Sequence, residues 1–348
     1  LLIVVTRRWH SRYTEDEITG VQKVHQASTP RVGGIGIACG VLVSFCSLYP
    51  SALSLLLITS LWAALPAFSA GLLEDLSKRV GPLPRLIAAM ASGVVAVGLT
   101  GVVMQDTGVP PLDAALRFLP FAVLFTGFAV GGVVNAINMI DGLHGVASGV
   151  CVILLAALGA IAAELDDTVL RDFCGIVIAA TLGFFSVNWP AGKIFLGDGG
   201  AYLLGFFVAW ASVLLAMRHP EVNGWAAVTV CAYPLWEVGF SMRRRIRHGF
   251  HHVAKADRRH LHHLLHRRLV RRLFPNLPIR YRNAATAPIV WTLAAFPALW
   301  AVVFSTNTQM LVVGFGLAAL GYSALYGRIS RFSWKFGLVT VWGRESKQ

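Results

Sequence analysis

Four groups of polar residues, set in an otherwise apolar chain, have the types and spacing that chemistry on a charged substrate requires. The first is Glu74-Asp75, followed by Lys78 and Arg79. Adjacent carboxylates repel, and a nearby cation or metal relieves the repulsion; the plainer reading is a helix end with its charges at a lipid interface. In the second, Asn135, Asn138, Asp141 and His144 recur every third residue and share one stripe if the helix continues through them. Amide and carboxylate oxygens at that spacing suit a hard cation such as Mg2+. Buried amides bonding between helices account for one Asn, but poorly for four polar residues in register. The third is Gly197-Asp198-Gly199-Gly200, just after Phe195 and just ahead of a long apolar run. A glycine-rich helix N-terminus offers backbone N–H groups to a phosphate, and its acid can hold the bridging metal; an ordinary N-cap gives the same pattern. The fourth is Arg258-Arg259-His260, then His262 and His263. No cysteine pair or second metal motif accompanies it, which argues against zinc. An imidazole cluster facing a diphosphate is the functional reading, and a polar surface helix the plain one.

The elements that must position these groups are membrane helices. Of the 348 residues, 56% are hydrophobic and only 14% charged, against roughly a quarter charged in soluble domains. Runs of about 20 apolar residues, enough to cross a bilayer, recur along the chain. The expected fold is all-α: a polytopic transmembrane helix bundle of about ten spans, at 34–49, 52–73, 83–104, 115–137, 145–163, 169–187, 200–217, 224–242, 284–304 and 308–327. A short apolar run ends at Arg7 and reads as the end of a truncated first helix. Basic residues follow this run, so it does not resemble a signal peptide. With no internal repeat of the kind many transporters carry, residues 1–348 read as a single integral membrane domain. The five cysteines lie in apolar runs and form no CxxC pair, so they read as small hydrophobes.

Loop charge gives the orientation. The loops before the first span and after every second one hold 26 of the 30 Lys and Arg residues, while the alternate loops hold only Arg218 and several acids. By the positive-inside rule the first set is cytoplasmic. Its largest member, the basic loop 243–283, has 13 Lys or Arg and one acid, Asp257. Such a loop attracts anionic membrane lipid, and it lacks the interleaved aromatics of a nucleic-acid platform. All four polar groups fall on this side, which points to a Mg2+–diphosphate site at the membrane surface.

Taken together, these residues resemble the polyprenyl-phosphate N-acetylhexosamine-1-phosphate transferases. That superfamily includes the enzymes that start O-antigen and enterobacterial common antigen, the phospho-N-acetylmuramoyl-pentapeptide transferase and the eukaryotic dolichyl counterpart. The resemblance spans His25 to His263. It rests on the stretch from His25 through Thr29-Pro30-Arg31 to Gly33-Gly34, the acid pair before Lys78, the Asn135–Asn138–Asp141-Gly142 motif, Phe195-Leu-Gly197-Asp198 and the triple-His segment. The chain departs from the family pattern twice: Glu74 stands where Asp is usual, and His144 where Asp or Asn is more frequent.

The resemblance implies transfer of an N-acetylhexosamine 1-phosphate from a UDP-sugar to undecaprenyl phosphate, with release of UMP, to start a lipid-linked surface glycan. It implies Mg2+, with Mn2+ as a substitute, held by Asn138 and Asp198. Asp75 and Glu74 would position charge, balanced by Lys78, with Asp141 beside them near the nucleotide. A phosphate monoester is already largely ionised at neutral pH, so no general base is required. Phe195 would stack on uracil and His144 would lie nearby. Asn135 and Gly197 would complete the substrate-binding set, with Arg258, His260, His262 and His263 on the sugar or phosphates. The implied setting is a bacterial inner membrane, multi-pass, with a cytoplasmic active site and room for a homodimer.

The peptidoglycan-branch transferase is the nearest alternative. A transporter is the alternative from another class, but its polar site would lie at the bilayer midplane. A CDP-alcohol phosphotransferase would place further acids soon after Asp141-Gly142, and none appears before Glu164.

Overall fold

A computed structural model describes residues 2–5, 29–247 and 259–331. Arg258, Asp257 and the stretch from His25 to Ser28 lie outside the described residues. After a short turn at Leu2–Val5 the chain forms helices α1 (Gly33–Leu48), α2 (Ala52–Ser77), α3 (Pro82–Thr100), α4 (Pro110–Leu116), α5 (Leu119–Ile140), α6 (Val146–Glu164) and α7 (Thr168–Asn188). The second half contributes α8 (Gly197–Arg218), α9 (Gly224–Val230), α10 (Ala232–Arg247), α11 (Leu261–Leu265), α12 (Ile279–Ala284), α13 (Ala287–Val303) and α14 (Thr308–Ser330). From α11 the chain runs on through a π-helical turn, His266–Val270, and a last helical turn, Arg271–Leu273. No β-strand occurs among the described residues.

The protein is a polytopic helical membrane bundle, with fewer full spans than the sequence suggested. Among the described residues, eight helical segments are long and apolar enough to cross a bilayer, with Tyr281–Val303 counted as one. Helix α1, with 16 residues, is about 24 Å long, short of the ~30 Å hydrocarbon core. The span expected at 224–242 is broken at Cys231 into α9 and α10. Pro234 is the local cause: it has no N–H for the carbonyl four residues back, and its ring crowds that carbonyl.

Helix α8 is the axis of the bundle. Every residue from Gly199 to Ala216 is buried, and a helix apolar on all sides belongs at the centre. Helices α1, α2, α5 and α6 pack around it. Small residues set the spacing, as is usual where no hydrophobic force drives helices together in lipid. A Cβ on Gly71 of α2 would come within 2.7 Å of the Asp198 carbonyl and the Gly199 nitrogen, and one on Gly34 within 2.5 Å of Gly200. These contacts bring the C-terminal half of α2 and the start of α1 against the first turn of α8.

Candidate active site

The site is built on that first turn. A helix leaves its first N–H groups without intrahelical partners, and here the partner comes from another helix. The Asp198 N–H donates to Asp75 Oδ1 at 2.9 Å, and the Gly199 N–H to Oδ2 at 2.9 Å. Asp75 is buried, and its charge also favours the positive end of the α8 dipole. The turn cannot accept a side chain at its start: Gly197 has φ +75°, and a Cβ there would meet the Arg31 carbonyl and, at 2.5 Å, Asp75 Oδ2. The chain entering α1 is tied to the same turn. Phe195 N–H donates to the Pro30 carbonyl at 2.8 Å, and Gly33 N–H to the Phe195 carbonyl at 3.0 Å. The glycine-rich N-terminus is therefore not an open phosphate cradle at these two N–H groups, because Asp75 takes both.

Asp198 itself points away into a cluster of charge. Its Oδ1 lies 3.3 Å from Arg31 Nη2, and its Oδ2 pairs with Arg85 Nη1. Arg31 Nε also lies 3.5 Å from Asp75 Oδ1. Arg85 was not legible as a site residue because it falls inside an apolar run. Its signal is the pair Pro82 and Pro84, which begins α3 and places Arg85 in the first turn.

Asn135, Asn138 and Asp141 lie along α5 and its end. The helix stops at Ile140 and Asp141 forms its cap, its N–H donating to the Asn138 carbonyl at 3.2 Å. The expected stripe of four is thereby cut. Asn135 turns to Met139 Sδ of its own helix at 3.8 Å. The side chains of Asn138 and Asp141 make no hydrogen bond or ion pair among the described residues. Burial pushes the Asp141 carboxyl up to about 7; the Asp198 and Asp75 charges add to the rise and Arg31 opposes it. The Asp141 carboxyl thus lies within electrostatic reach of Arg31, Asp198 and Asp75.

His144, carried off the stripe by the turn, packs its ring on Gly192, with its centroid 5.4 Å from that of Phe195. Asn283 Oδ1 accepts from its N–H at 3.0 Å. The triple-His turn covers the other side: a Cβ on Gly142 would lie 2.5 Å from His262 Nε2 and about as close to the His263 ring, at 3.0 Å. His262 is fully buried, and neither of its ring nitrogens has a hydrogen-bond partner among the described residues. Burial, then the neighbouring His263 and His260, holds its pKa well below the ordinary imidazole range, so this ring is neutral. His260, at the N-terminus of α11, is held through Nδ1 by Glu237 Oε1 at 2.9 Å. Glu237 also escaped the sequence reading, lying in a run counted as a membrane span.

Two expected members sit where α2 ends. Glu74 does not join Asp75: successive helical residues point about 100° apart, and its Oε2 accepts from the Val80 N–H at 2.7 Å, closing its own helix end. Lys78 is the exposed, left-handed C-cap of α2, and the cations that meet Asp75 and Asp198 are Arg31 and Arg85.

Among the described residues no three His, Cys, Asp or Glu side chains form a metal cage. Mg2+ does not need one, since it takes one or two carboxylates and completes its shell with water and substrate phosphate. The oxygen donors of Asn138, Asp141 and Asp198 are of the type that ion takes, and the side chains of the first two are uncommitted.

A helical membrane bundle whose helix ends bring two acids and two arginines together, with a triple-His turn against Gly142, defines a class: multi-pass enzymes that handle phosphorylated substrates. Residues 56–216 match glycosyl transferase family 4. An undecaprenyl-phosphate alpha-N-acetylglucosaminyl 1-phosphate transferase of Salmonella typhi is 32% identical over 257 residues, 71% of this chain and 67% of the relative. The enzyme of the same name from Escherichia coli (strain K12) is 31% identical with the same coverage. The chain belongs to glycosyl transferase family 4 and is a sugar-phosphate transferase.

Proposed function

We propose that this chain transfers an N-acetylhexosamine 1-phosphate from a UDP-sugar to undecaprenyl phosphate. An acceptor phosphate oxygen attacks the sugar-bearing β-phosphorus, the bond from that phosphorus to the bridging oxygen breaks, and UMP departs with the electron pair. The product is a polyprenyl-diphospho-sugar. The observation that carries this reading is the pairing of Asp75 and Asp198 with Arg31 and Arg85, within electrostatic reach of the Asp141 carboxyl, whose neighbour Gly142 packs against His262.

In this reading each residue has a physical task. Asn138 and Asp198, together with Asp141, would hold Mg2+, which would neutralise the donor diphosphate and the departing UMP. Arg31 and Arg85 supply fixed positive charge to the same phosphates, the preorganised electrostatics on which phosphoryl transfer depends. Asp75 acts through structure, fixing the turn that aims Asp198. Phe195 and His144 line the slot for uracil, and His262 and His263 contact the donor phosphates or sugar. The Lys- and Arg-rich loops flank this end of the bundle, which supports a site facing the cytoplasm of a bacterial inner membrane.

Purified protein, undecaprenyl phosphate and a panel of UDP-sugars, including UDP-N-acetylglucosamine and UDP-N-acetylmuramoyl-pentapeptide, test the reading. Expected is UMP release matched by a lipid-linked sugar, abolished by EDTA and restored by Mg2+ or Mn2+. No UMP with any donor, or solute uptake into vesicles without chemical change, would overturn it.

A further inference from the structure

Helix α10 carries an acid that the chemistry above does not use. Glu237 is fully buried. Its Oε1 lies 2.9 Å from His260 Nδ1 and accepts from the Leu261 N–H at 3.1 Å, while its Oε2 accepts from the Tyr322 hydroxyl of α14 at 2.9 Å. One carboxylate thus binds the ring of His260, the first turn of α11 and a third helix. Burying a charge in this way is weak support for stability, because apolar groups of similar volume often do as well. What the contacts do accomplish is to fix the place and rotation of α11. The first turn of that helix carries His262 and His263, which lie against Gly142.

We propose that Glu237 is a positioning residue for donor binding: by gripping His260 and the Leu261 N–H it sets His262 and His263 against the Asp141-Gly142 turn. The inference rests on the reading of that turn as a donor-phosphate contact. Glu237 touches no substrate and acts through the helix it anchors. The geometry requires an acceptor for His260 and Leu261, and glutamine can supply one: its amide oxygen can take those contacts while its nitrogen donates to the Tyr322 oxygen.

The full-length enzyme in nanodiscs, with undecaprenyl phosphate and its preferred UDP-sugar, provides the test. Glu237→Ala is expected to raise the KM for the UDP-sugar about 10- to 100-fold, the worth of a hydrogen bond to a charged group. The KM for undecaprenyl phosphate is expected to stay within about twofold, since His262 and His263 are assigned to the donor and not to the acceptor. Glu237→Gln is expected to recover the donor KM to within about threefold, since it keeps the bonds. Asp167→Ala is the control for a merely structural loss. It removes a helix cap and its links to Arg218 and His219, away from the site. It is expected to lower the thermal midpoint with both KM values unchanged. If Glu237→Ala does not fold, the double variant E237L/Y322F, apolar at both positions, carries the same donor-selective expectation. A native donor KM in the alanine or double variant, an equal rise in both KM values, or a glutamine variant as defective as alanine would overturn the proposal. An inactive wild-type enzyme would instead remove the functional reading on which it rests.

Discussion

At the residue scale, the two acids that neighbour each other in sequence, Glu74 and Asp75, do different work, and so do the two that meet in space, Asp75 and Asp198. Asp75 satisfies two backbone N–H groups, whereas Asp198 faces two guanidinium groups and retains some exposure to solvent. Asp75→Asn would set an amide N–H against a backbone N–H in a buried space. It is expected to cost about 1–3 kcal/mol of stability, read as a lowered thermal midpoint in detergent together with lost activity. Glu74→Gln retains an acceptor for the Val80 N–H and is expected to leave turnover within about threefold of wild type. If Glu74→Gln abolished turnover at an unchanged midpoint, the separation of the two acids drawn here would be wrong. Much of this was legible beforehand. Asp198, Asn138 and Asp141 were visible because acids and amides are costly in an apolar chain. The cap on α8 was not, because its partners are separated by 123 residues in sequence, and local spacing carries no information about such a pair. Arg85 and Glu237 were hidden because single charges inside apolar runs read as span residues.

At the element scale, the site depends on how closely α2 and α1 approach the first turn of α8. Gly71→Ala places a methyl 2.7 Å from backbone atoms of Asp198 and Gly199, which cannot rotate aside as a side chain would. Overpacking of this kind costs about 1–3 kcal/mol. The variant is expected to lose both thermal stability and turnover, because the turn that moves is the one bearing Asp198. Gly36→Ala on α1, where a Cβ meets nothing within 4 Å, is expected to change neither. Equal behaviour of the two variants would show that the close approach does not matter. The run of spans was readable from hydrophobicity, but the span expected at 224–242 is two helices. The break at Cys231 follows from Pro234, a signal present in the sequence but overridden by the continuous apolar run. The span expected to end at 137 runs on to Ile140, where the Asp141-Gly142 turn stops it and cuts the stripe of four polar residues.

At the scale of the whole molecule, the acid–arginine centre and the triple-His turn lie at the end of the bundle where the described basic residues at the C-terminus of α10 also lie. The alternate loops contain only one of the 30 Lys and Arg residues, so the orientation can be tested apart from the chemistry. In cells expressing a chain with Cys39 and Cys46 replaced by Ser, the variant Lys193→Cys is expected to resist a membrane-impermeant maleimide until the cells are opened. The variant Asp106→Cys is expected to react in intact cells. Reversed labelling would place the site on the wrong face for a nucleotide-sugar donor. The central claim is that Asp198 works on the donor diphosphate at the focus of this assembly. Its most direct test is the rate of UMP release by purified Asp198→Asn enzyme, with undecaprenyl phosphate, Mg2+ and a UDP-sugar turned over by the wild type. A loss of about a hundredfold or more, at a thermal midpoint close to that of the wild type, is the predicted result; turnover within a fewfold of wild type would contradict the account.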